Sequence, residues 1–418
     1  MKVWVISELY YPDEAATGHY MTRIAEGLAS IGPVSVLCAQ PHYFAPGGRA
    51  PARETRNGVS IERCRATTLD KNKFLFKLVN VLSISLSILG KALGRVGRGD
   101  IALVVTNPPL LPFVAALVCR LRGARCILRI DDVYPEAMVN AGLIRPGGWL
   151  AGGLNWLTRQ LYQSVDRIVV LGRDMRRVVA RKMEHGQDRI VVITNWADAD
   201  CVTPTPRSQN ALLQELGLAD KFVVGYAGNI GPLQGIESLF ETALKLRDVQ
   251  DVHFMFVGSG KQAPWLARAA KEAGLTNLTS LGQRPRCDQA DFLNACDVAL
   301  VSLVRGMAGV GVPSRMYNMM AAGKPILAVT DDDSELALVV REERIGWVTP
   351  PGQPDKIAAA ILEARAHPEL LAEMGARARS AAETRYSLDH VLAGYVALVS
   401  ELRAAGACAA PRAEMKWV

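Results

Sequence analysis

The sequence predicts an α/β chain of two doubly wound, Rossmann-like parallel-sheet domains in tandem. Three observations carry this prediction. Short runs of Val, Ile and Leu, such as VSVLCA and IALVV, alternate with longer stretches of helical periodicity, as expected of parallel strands buried on both faces. The alternation pauses once, in the Pro-, Ser- and Thr-rich CVTPTPRSQN that begins at Cys201, and then restarts. The 418 residues, half of them hydrophobic, are enough for two domains that each bury a core. The same composition excludes a disordered or collagen-like chain, since the 36 Gly and 22 Pro follow no period.

In the first half, strands are expected at Val3–Glu8, Val34–Ala39, Val59–Arg65, Ile101–Thr106, Arg125–Ile130, Arg167–Leu171 and Ile190–Thr194. Helices are expected at Gly18–Ser30, Phe74–Leu93, Pro109–Leu121, Leu150–Gln163 and Arg173–Met183. In the second half, strands fall at Phe222–Ala227, His253–Val257, Leu278–Leu281, Val298–Leu303, Pro325–Val329 and Trp347–Val348. Helices lie near Leu233–Leu246, Ala263–Ala273, Gln289–Cys296, Ser314–Ala322, Glu335–Glu342 and Asp355–Ala366. The tract Pro368–Ala405 reads as helix broken near Tyr386–Ser387, where Ser387 is placed to cap the last segment. The expected domains are therefore residues 1–200 and 201–386. Ligands of such sheets bind beyond the carboxyl ends of the strands, where strand order reverses, and two domains can bring those ends face to face across a cleft.

Charge is uneven. Residues 1–200 carry 26 Lys and Arg against 17 Asp and Glu, while the remainder carries 22 against 24. A basic half suits nucleic acid, an anionic membrane or a phosphorylated substrate, and no nucleic-acid-binding signature supports the first. None of the eight cysteines forms a CxxC pair or a Cys/His cluster with zinc spacing, and several sit in apolar runs. A reducing, cytoplasmic setting is expected, and MKVWVISELYYPDE lacks the features of a signal peptide. The segment Phe74–Leu93 is the most apolar helix, with an uncharged run of 13 residues, Leu78–Gly90, short of the roughly 20 a span needs. Basic residues flank it on both sides. It reads as a core helix or, over residues 71–98, as an amphipathic helix on an anionic membrane surface. The two coexist if one face is exposed.

Five constellations sit where ligands of such sheets bind. GYAGNIGPLQGIE, Gly225–Glu237, is a strand-to-helix turn that suits a phosphate, but its GxxGxxG spacing is not the dinucleotide fingerprint, and no acidic residue ends the next strand. In the stretch beginning RGMAGVGVPSR, Arg305–Arg315, glycines precede Ser314, placed as a helix cap, and Arg315. That arrangement cradles a diphosphate, with Asn318 one turn on and within reach of a sugar hydroxyl. TDDDSELA reads either as a metal-binding DxD or, more simply, as a solvated loop in which Ser334 caps a helix starting at Glu335. RIDDVYPE brings Asp131 and Asp132 to a strand end, as a base or an orienting carboxylate for a hydroxyl, or as a helix cap. YYPDEAATGHY places Gly18 and free N–H groups at a helix start, beside a lone His19 that is either catalytic or structural. No GxSxG, GxxxxGK[ST] or HExxH motif is present.

Taken together, YYPDEAATGHYMTRIAEGLA, VVITNWAD, YAGNIGPLQGIESL, FVGSG, GVGVPSRMYNMMAAGKPILA, DSELA and TPPGQPDKIAAAI resemble the family-4 glycosyltransferases. They are most similar to the WbuB/WcaI-like branch of bacterial O-antigen, capsule and colanic acid assembly. The resemblance implies a GT-B fold whose last helix, about 387–406, crosses back to the first domain. It implies a nucleotide-sugar donor, commonly a UDP-sugar, on the second domain. The first domain would take a lipid-linked, polyprenyl diphosphate saccharide at the inner face of the cytoplasmic membrane. It also implies retention of anomeric configuration, by front-face attack without metal or other cofactor. The family's two glutamates, counted back from AAGKP, fall on Val310 and Asn318, and its phosphate-binding Arg and Lys on Asn229 and Gln234. Donor contacts are then expected from Gly18, Asn229, Gly231, Gln234, Arg284, Arg305, Ser314, Arg315, Asn318, Ser334 and Glu335, with Arg315, Arg284 and Arg305 as the cations, and the catalytic role from Asp131 and Asp132. A nucleotide-sugar epimerase on the same architecture and a non-catalytic partner subunit are the competing readings.

Overall fold

The structure, a computed structural model, describes residues 1–13, 15–41, 50–69 and 73–407. Parts of residues 71–98 therefore lie outside the described residues. The first sheet contains β1 (Val3–Ile6), β2 (Val34–Ala39), β3 (Arg53–Arg56), β4 (Val59–Cys64), β5 (Ile101–Val105), β6 (Arg125–Ile130), β7 (Arg167–Val170) and β8 (Ile190–Val192). Their spatial order is β3-β4-β2-β1-β5-β6-β7-β8, parallel except for the β3–β4 pair. The second sheet contains β9 (Phe222–Ala227), β10 (Val252–Val257), β11 (Leu278–Ser280), β12 (Val298–Ser302), β13 (Ile326–Val329) and β14 (Gly346–Thr349), in the order β11-β10-β9-β12-β13-β14. All its neighbours are parallel. Strand order reverses between β1 and β5 and between β9 and β12, so the loops leaving those four strands flank the places where ligands of such sheets bind.

The sequence reading does not anticipate β3. Its signal is Asn57-Gly58, with φ of 47° and 77°, which turns RETR back onto VSIERC. Both central residues of this hairpin turn need positive φ, and Asn-Gly tolerates that best.

Four helices cover one face of the first sheet: Phe74–Arg95, Leu111–Arg122, Trp149–Ser164 and Arg173–Lys182. Ile88, Val118, Leu161 and Met175, one from each, share a single core with Ile6, Val104 and Leu128 of the strands. The other face is covered by Ala16–Leu28 and by the last helix, Leu388–Ala407, whose Tyr395, Val399 and Leu402 pack with Ile24, Val5 and Leu103. Ser387 starts that helix, its hydroxyl accepting from His390 N–H at 3.3 Å. The chain thus passes between the domains twice. The two crossings touch: Ala197 N–H donates to the Tyr386 carbonyl at 2.8 Å, and Ala197 pairs with Ser387 in a parallel bridge.

The helix Phe74–Arg95 has both characters expected of it. Ile84, Ser85, Ile88 and Ala92 are buried under the sheet, while Leu75, Val79, Leu82 and Leu86 face outward and are exposed. Five cysteines are buried, and Cys201 and Cys287 are exposed; among the described residues no cysteine is in a disulfide.

The end of β10 is packed backbone to backbone. Gly258 has φ of 146°, and a Cβ there would lie 1.9 Å from the Gly228 carbonyl oxygen. Overpacking a rigid site costs about 1–3 kcal/mol, and the positive φ adds to it. Gly258→Ala should therefore lower stability by at least about 2 kcal/mol in urea unfolding. An unchanged midpoint would show that the two strand-end loops can separate.

Candidate active site

The two sheets present their carboxyl ends to each other, and the loops leaving them meet. On the second-domain side, the β9 loop runs from Gly228 to the helix Ile236–Lys245, and the β12 loop runs from Leu303 to the helix Arg315–Ala321. They enclose a cavity of about 390 Å³ lined by Gly235, Ser238, Ser302, Val304 and Arg305, among others. The hydroxyls of Ser238 and Ser302 are buried without a protein partner. Arg315 ties the ends of β9 and β12 together: it donates to the Tyr226 hydroxyl at 3.0 Å and to the Ser302 carbonyl at 2.9 Å, and lies over the Tyr226 ring at 4.8 Å. Its Nε is buried and unpartnered. Tyr226 in turn donates to the Asn229 carbonyl at 2.6 Å, so the guanidinium is fixed by the strand it crosses.

The other expected donor residues divide. Asn229 and Gln234 hydrogen-bond each other at 3.4 Å beside the buried Gly231, at the mouth of the same turn. Arg305 is exposed at the cavity rim. Arg284 makes no hydrogen bond or ion pair among the described residues, whereas Arg286, two residues on, pairs with Asp198. Gly18 lies in the first turn of Ala16–Leu28, where the first backbone bond is from His19 N–H to the Ala15 carbonyl at 2.9 Å. Ser314 precedes the helix at Arg315 but makes no capping bond, contrary to expectation. Its backbone is already helical, with φ −63° and ψ −22°, whereas a cap needs an extended residue, and its hydroxyl reaches Tyr20 of the first domain instead. Ser334 is the cap the sequence suggests: extended, and accepting from Ala337 N–H at 3.2 Å.

Asp131 and Asp132 emerge from β6 opposite the β12 loop. Asp132 pairs with Gly311 in a backbone bridge, and Val133 N–H donates to the Val310 carbonyl at 2.8 Å. Asp131 accepts from Arg129 Nε at 2.9 Å. Arg129 is buried and also donates to the Tyr395 hydroxyl at 2.7 Å and to Asn195 at 2.6 Å, so the last helix helps aim Asp131. Asp132 is exposed, yet its carboxylate is crowded by protein on the side of Gly311 in the β12 loop. That crowding, with the neighbouring charge of Asp131, pushes its carboxyl up to about 6.

Two positions of the family pattern become intelligible. Val310 is buried in an apolar plug with Leu303 and Met307, against Ala137 of the first domain, where a glutamate would be stranded. Asn318 is buried: its Oδ1 accepts from Asp198 N–H at 2.8 Å, and its Nδ2 donates to Gln289 at 3.2 Å and to the Asp198 carboxylate at 3.4 Å. A glutamate there would oppose another carboxylate. Asp198 also takes His19 Nε2 at 3.0 Å and Arg286. Burial alone would raise its pKa, but His19 and Arg286 outweigh burial and hold it well below the usual carboxylate range. His19 thus has a structural partner at the hinge.

Glu335 is used differently from the sugar contact expected. Its carboxylate accepts from the backbone N–H of Arg173 at 2.7 Å and from Arg173 Nε at 3.0 Å. Reciprocally, Asp174 Oδ2 accepts from the N–H groups of Gly309 at 2.8 Å and Glu335 at 2.9 Å. Two helix N-termini, one per domain, face each other and exchange acids; each acid neutralises the other helix's unpaired N–H groups and dipole. Asp331, in the loop read as a solvated turn, accepts from Gly306 N–H at 2.8 Å and Ala308 N–H at 3.3 Å and holds the glycine loop. The sequence reading misses Arg173, Asp174, Asp198, Arg286 and Asp331. LGRD follows β7 as RIDD follows β6, so an acid just past a strand end was the available signal. Among the described residues, no three His, Cys, Asp or Glu side chains are placed to hold a metal ion.

A buried bond to a charged group contributes roughly 1.5–3 kcal/mol. Asp174→Ala leaves two N–H groups of the second domain unpaired, so it should cost about 3 kcal/mol in thermal or urea unfolding. It should also enlarge the radius of gyration in small-angle X-ray scattering as the cleft opens. A variant as compact and as stable as the parent would show that the acid exchange does not hold the domains together.

The comparisons with known proteins agree with this architecture. Residues 16–196 match the glycosyl transferase 4-like domain, and residues 208–381 match glycosyl transferases group 1. The chain is 32% identical over 403 residues to the probable glycosyltransferase WbjE of Pseudomonas aeruginosa, covering 96% of this chain and 98% of that one. It is 26% identical over 409 residues to WcaI of Escherichia coli, a putative colanic acid biosynthesis glycosyl transferase, covering 95% and 99%. In three dimensions it superposes on Anabaena HepE, solved with UDP-glucose, with a TM-score of 0.71 at 17% identity, over 96% of this chain and all of that one. Full-length kinship to WbjE, rather than fold likeness alone, places the chain among the family-4 glycosyltransferases of GT-B fold, in the WcaI-like branch.

Proposed function

We propose that this chain transfers a hexosyl or N-acetylhexosaminyl group from a UDP-sugar to a lipid-linked, polyprenyl diphosphate saccharide. The reaction would retain anomeric configuration and need no metal, at the inner face of the cytoplasmic membrane, during assembly of a bacterial surface polysaccharide such as O-antigen or capsule. The observation that carries the donor reading is the cradle at the β9/β12 switch point. Two buried serine hydroxyls without a partner line the cavity where the helix Ile236–Lys245 starts, and Arg315, with a buried unpartnered Nε, lies next to it against Gly228. This is a site for a diphosphate. HepE, of the same fold, was solved with UDP-glucose. The kinship to WcaI supports the polysaccharide setting.

Across the cleft, Asp132 is proposed to orient the acceptor hydroxyl and share its proton while the hydroxyl attacks the anomeric carbon from the side the diphosphate leaves. Charge building on the leaving group is stabilised by Arg315 and by groups already fixed in place, so positioning and electrostatics supply the rate.

UDP in excess should raise the melting temperature, and GDP, ADP and NAD should not. Arg315→Ala should weaken UDP binding by about 10–100-fold, the loss of one to two charge-assisted bonds, and, because Tyr226 and Ser302 lose their bonds to it, should lower the melting temperature of the free protein while leaving it folded. Undiminished UDP binding would move the diphosphate elsewhere, and stabilisation by NAD alone would exclude a UDP-sugar donor. For catalysis, kcat/KM for the acceptor should rise as pH increases through about 6, where Asp132 ionises, and then level off. In Asp132→Asn most of the rate and that rising limb should vanish together; a variant that keeps the limb would exclude Asp132 as the group responsible.

A further inference from the structure

We infer that the first domain docks on an anionic lipid bilayer through a composite face of three helices, anchored by the tryptophans of Trp149–Ser164. This extends the membrane contact proposed above, which involved one helix, and it holds whichever sugar is transferred.

The helix Leu111–Arg122 packs between Phe74–Arg95 and Trp149–Ser164, so the three lie side by side on one face of the first sheet. Their inner sides are core. Their outer sides are apolar as well. Leu75, Val79, Leu82 and Leu86 recur at steps of four, three and four, one stripe of the first helix, and Leu86 is 64% exposed. Leu117 and Leu121 continue the surface across the middle helix. Trp149, at 89% exposed, and Trp156, at 58%, stand two turns apart on the third, with Gly152 and Gly153 between them. A soluble surface does not ordinarily leave so much aromatic and aliphatic area uncovered.

Charge selects the occupant. None of the three helices contains an Asp or Glu, yet together they carry Lys77, Lys91, Arg95, Arg120, Arg122 and Arg159. Lys91 and Arg95 share one carboxylate, Glu62, at 3.2 and 3.4 Å, and the cations outnumber it. An apolar plane with a mainly cationic rim complements anionic headgroups above an acyl layer, with tryptophans at the depth they favour. Leu75–Arg95 is long and apolar enough to span by length and composition, but Ile84, Ile88 and Ala92 hold it in the core, so it lies along the surface. All three helices begin at the carboxyl end of the sheet. Trp149, Leu150 and the exposed turn Leu75–Val79 therefore stand at the end of the face nearest the cleft.

The test is sedimentation with phosphatidylcholine vesicles, with and without phosphatidylglycerol. The full chain should bind the phosphatidylglycerol vesicles at least about tenfold more strongly. The triple variant Leu86→Glu, Leu117→Glu, Trp149→Glu should lose that binding while keeping its melting temperature and its stabilisation by UDP, since all three side chains are exposed. Failure of UDP to stabilise either protein would count against the donor reading and leave the vesicle result standing. The docking face is overturned if the parent protein binds neither vesicle, if it binds both equally, or if the triple variant binds as the parent does. It is also overturned if the parent is a dimer in analytical ultracentrifugation that the triple variant dissolves, because a second copy would then cover the face.

Discussion

The closed shape of this protein depends on one exchange. Asp174 and Glu335 each cap the other domain's helix, inside an interface where neither acid reaches water. Two facing helix N-termini would repel, positive end against positive end; the swapped carboxylates turn that repulsion into attraction. The same exchange sets the height of the cleft, because Gly309, held by Asp174, belongs to the β12 loop that meets Asp132. The catalytic carboxylate proposed for one domain and the phosphate cradle proposed for the other are thus spaced by bonds outside both.

The family frame is strict about place and lenient about identity. Val310 and Asn318 stand where glutamates are common, and each has a local reason: an apolar plug in one case, a carboxylate neighbour in the other. Asn229 and Gln234 replace an Arg and a Lys. In the donor reading proposed above, compensation falls to Arg315, which reaches the ends of β9 and β12 and is pinned by Tyr226. Arg129 has a comparable role on the acceptor side, tying Asp131 to Tyr395 at the far end of the chain.

Much of the fold was legible because parallel strands buried on both faces are nearly uninterrupted apolar runs, and all five strands β1, β2, β5, β10 and β12 read that way. β3 was not, being polar and at an edge, with only Asn57-Gly58 to reveal it. In the site, the glycine turns and strand-end acids were visible because their positions follow from topology. The partners were not. Whether Glu335 meets a sugar or Arg173 depends on how two domains dock, which no local pattern encodes. Ser314 shows the same limit at smaller scale: cap composition without cap geometry, since the helical backbone at that residue is fixed by its tertiary neighbours. Arg284 and Arg286 differ by two residues, and only the path of the loop decides which of them meets Asp198.

The paired crossings between the domains have a mechanical meaning. A domain tethered by one strand can twist as well as bend. Here Ala197 and Tyr386 are stitched side by side, and Asp198 braces the joint from the next residue. Two crossings joined side by side resist torsion about the tether more than one would, and they favour opening by rotation about an axis through that stitch. Were the first domain seated on lipid as inferred above, the second would move like a door on a fixed frame. For the transfer proposed above, spent nucleotide would leave and fresh donor enter on the swinging side, while the acceptor would keep its pose on the stationary one.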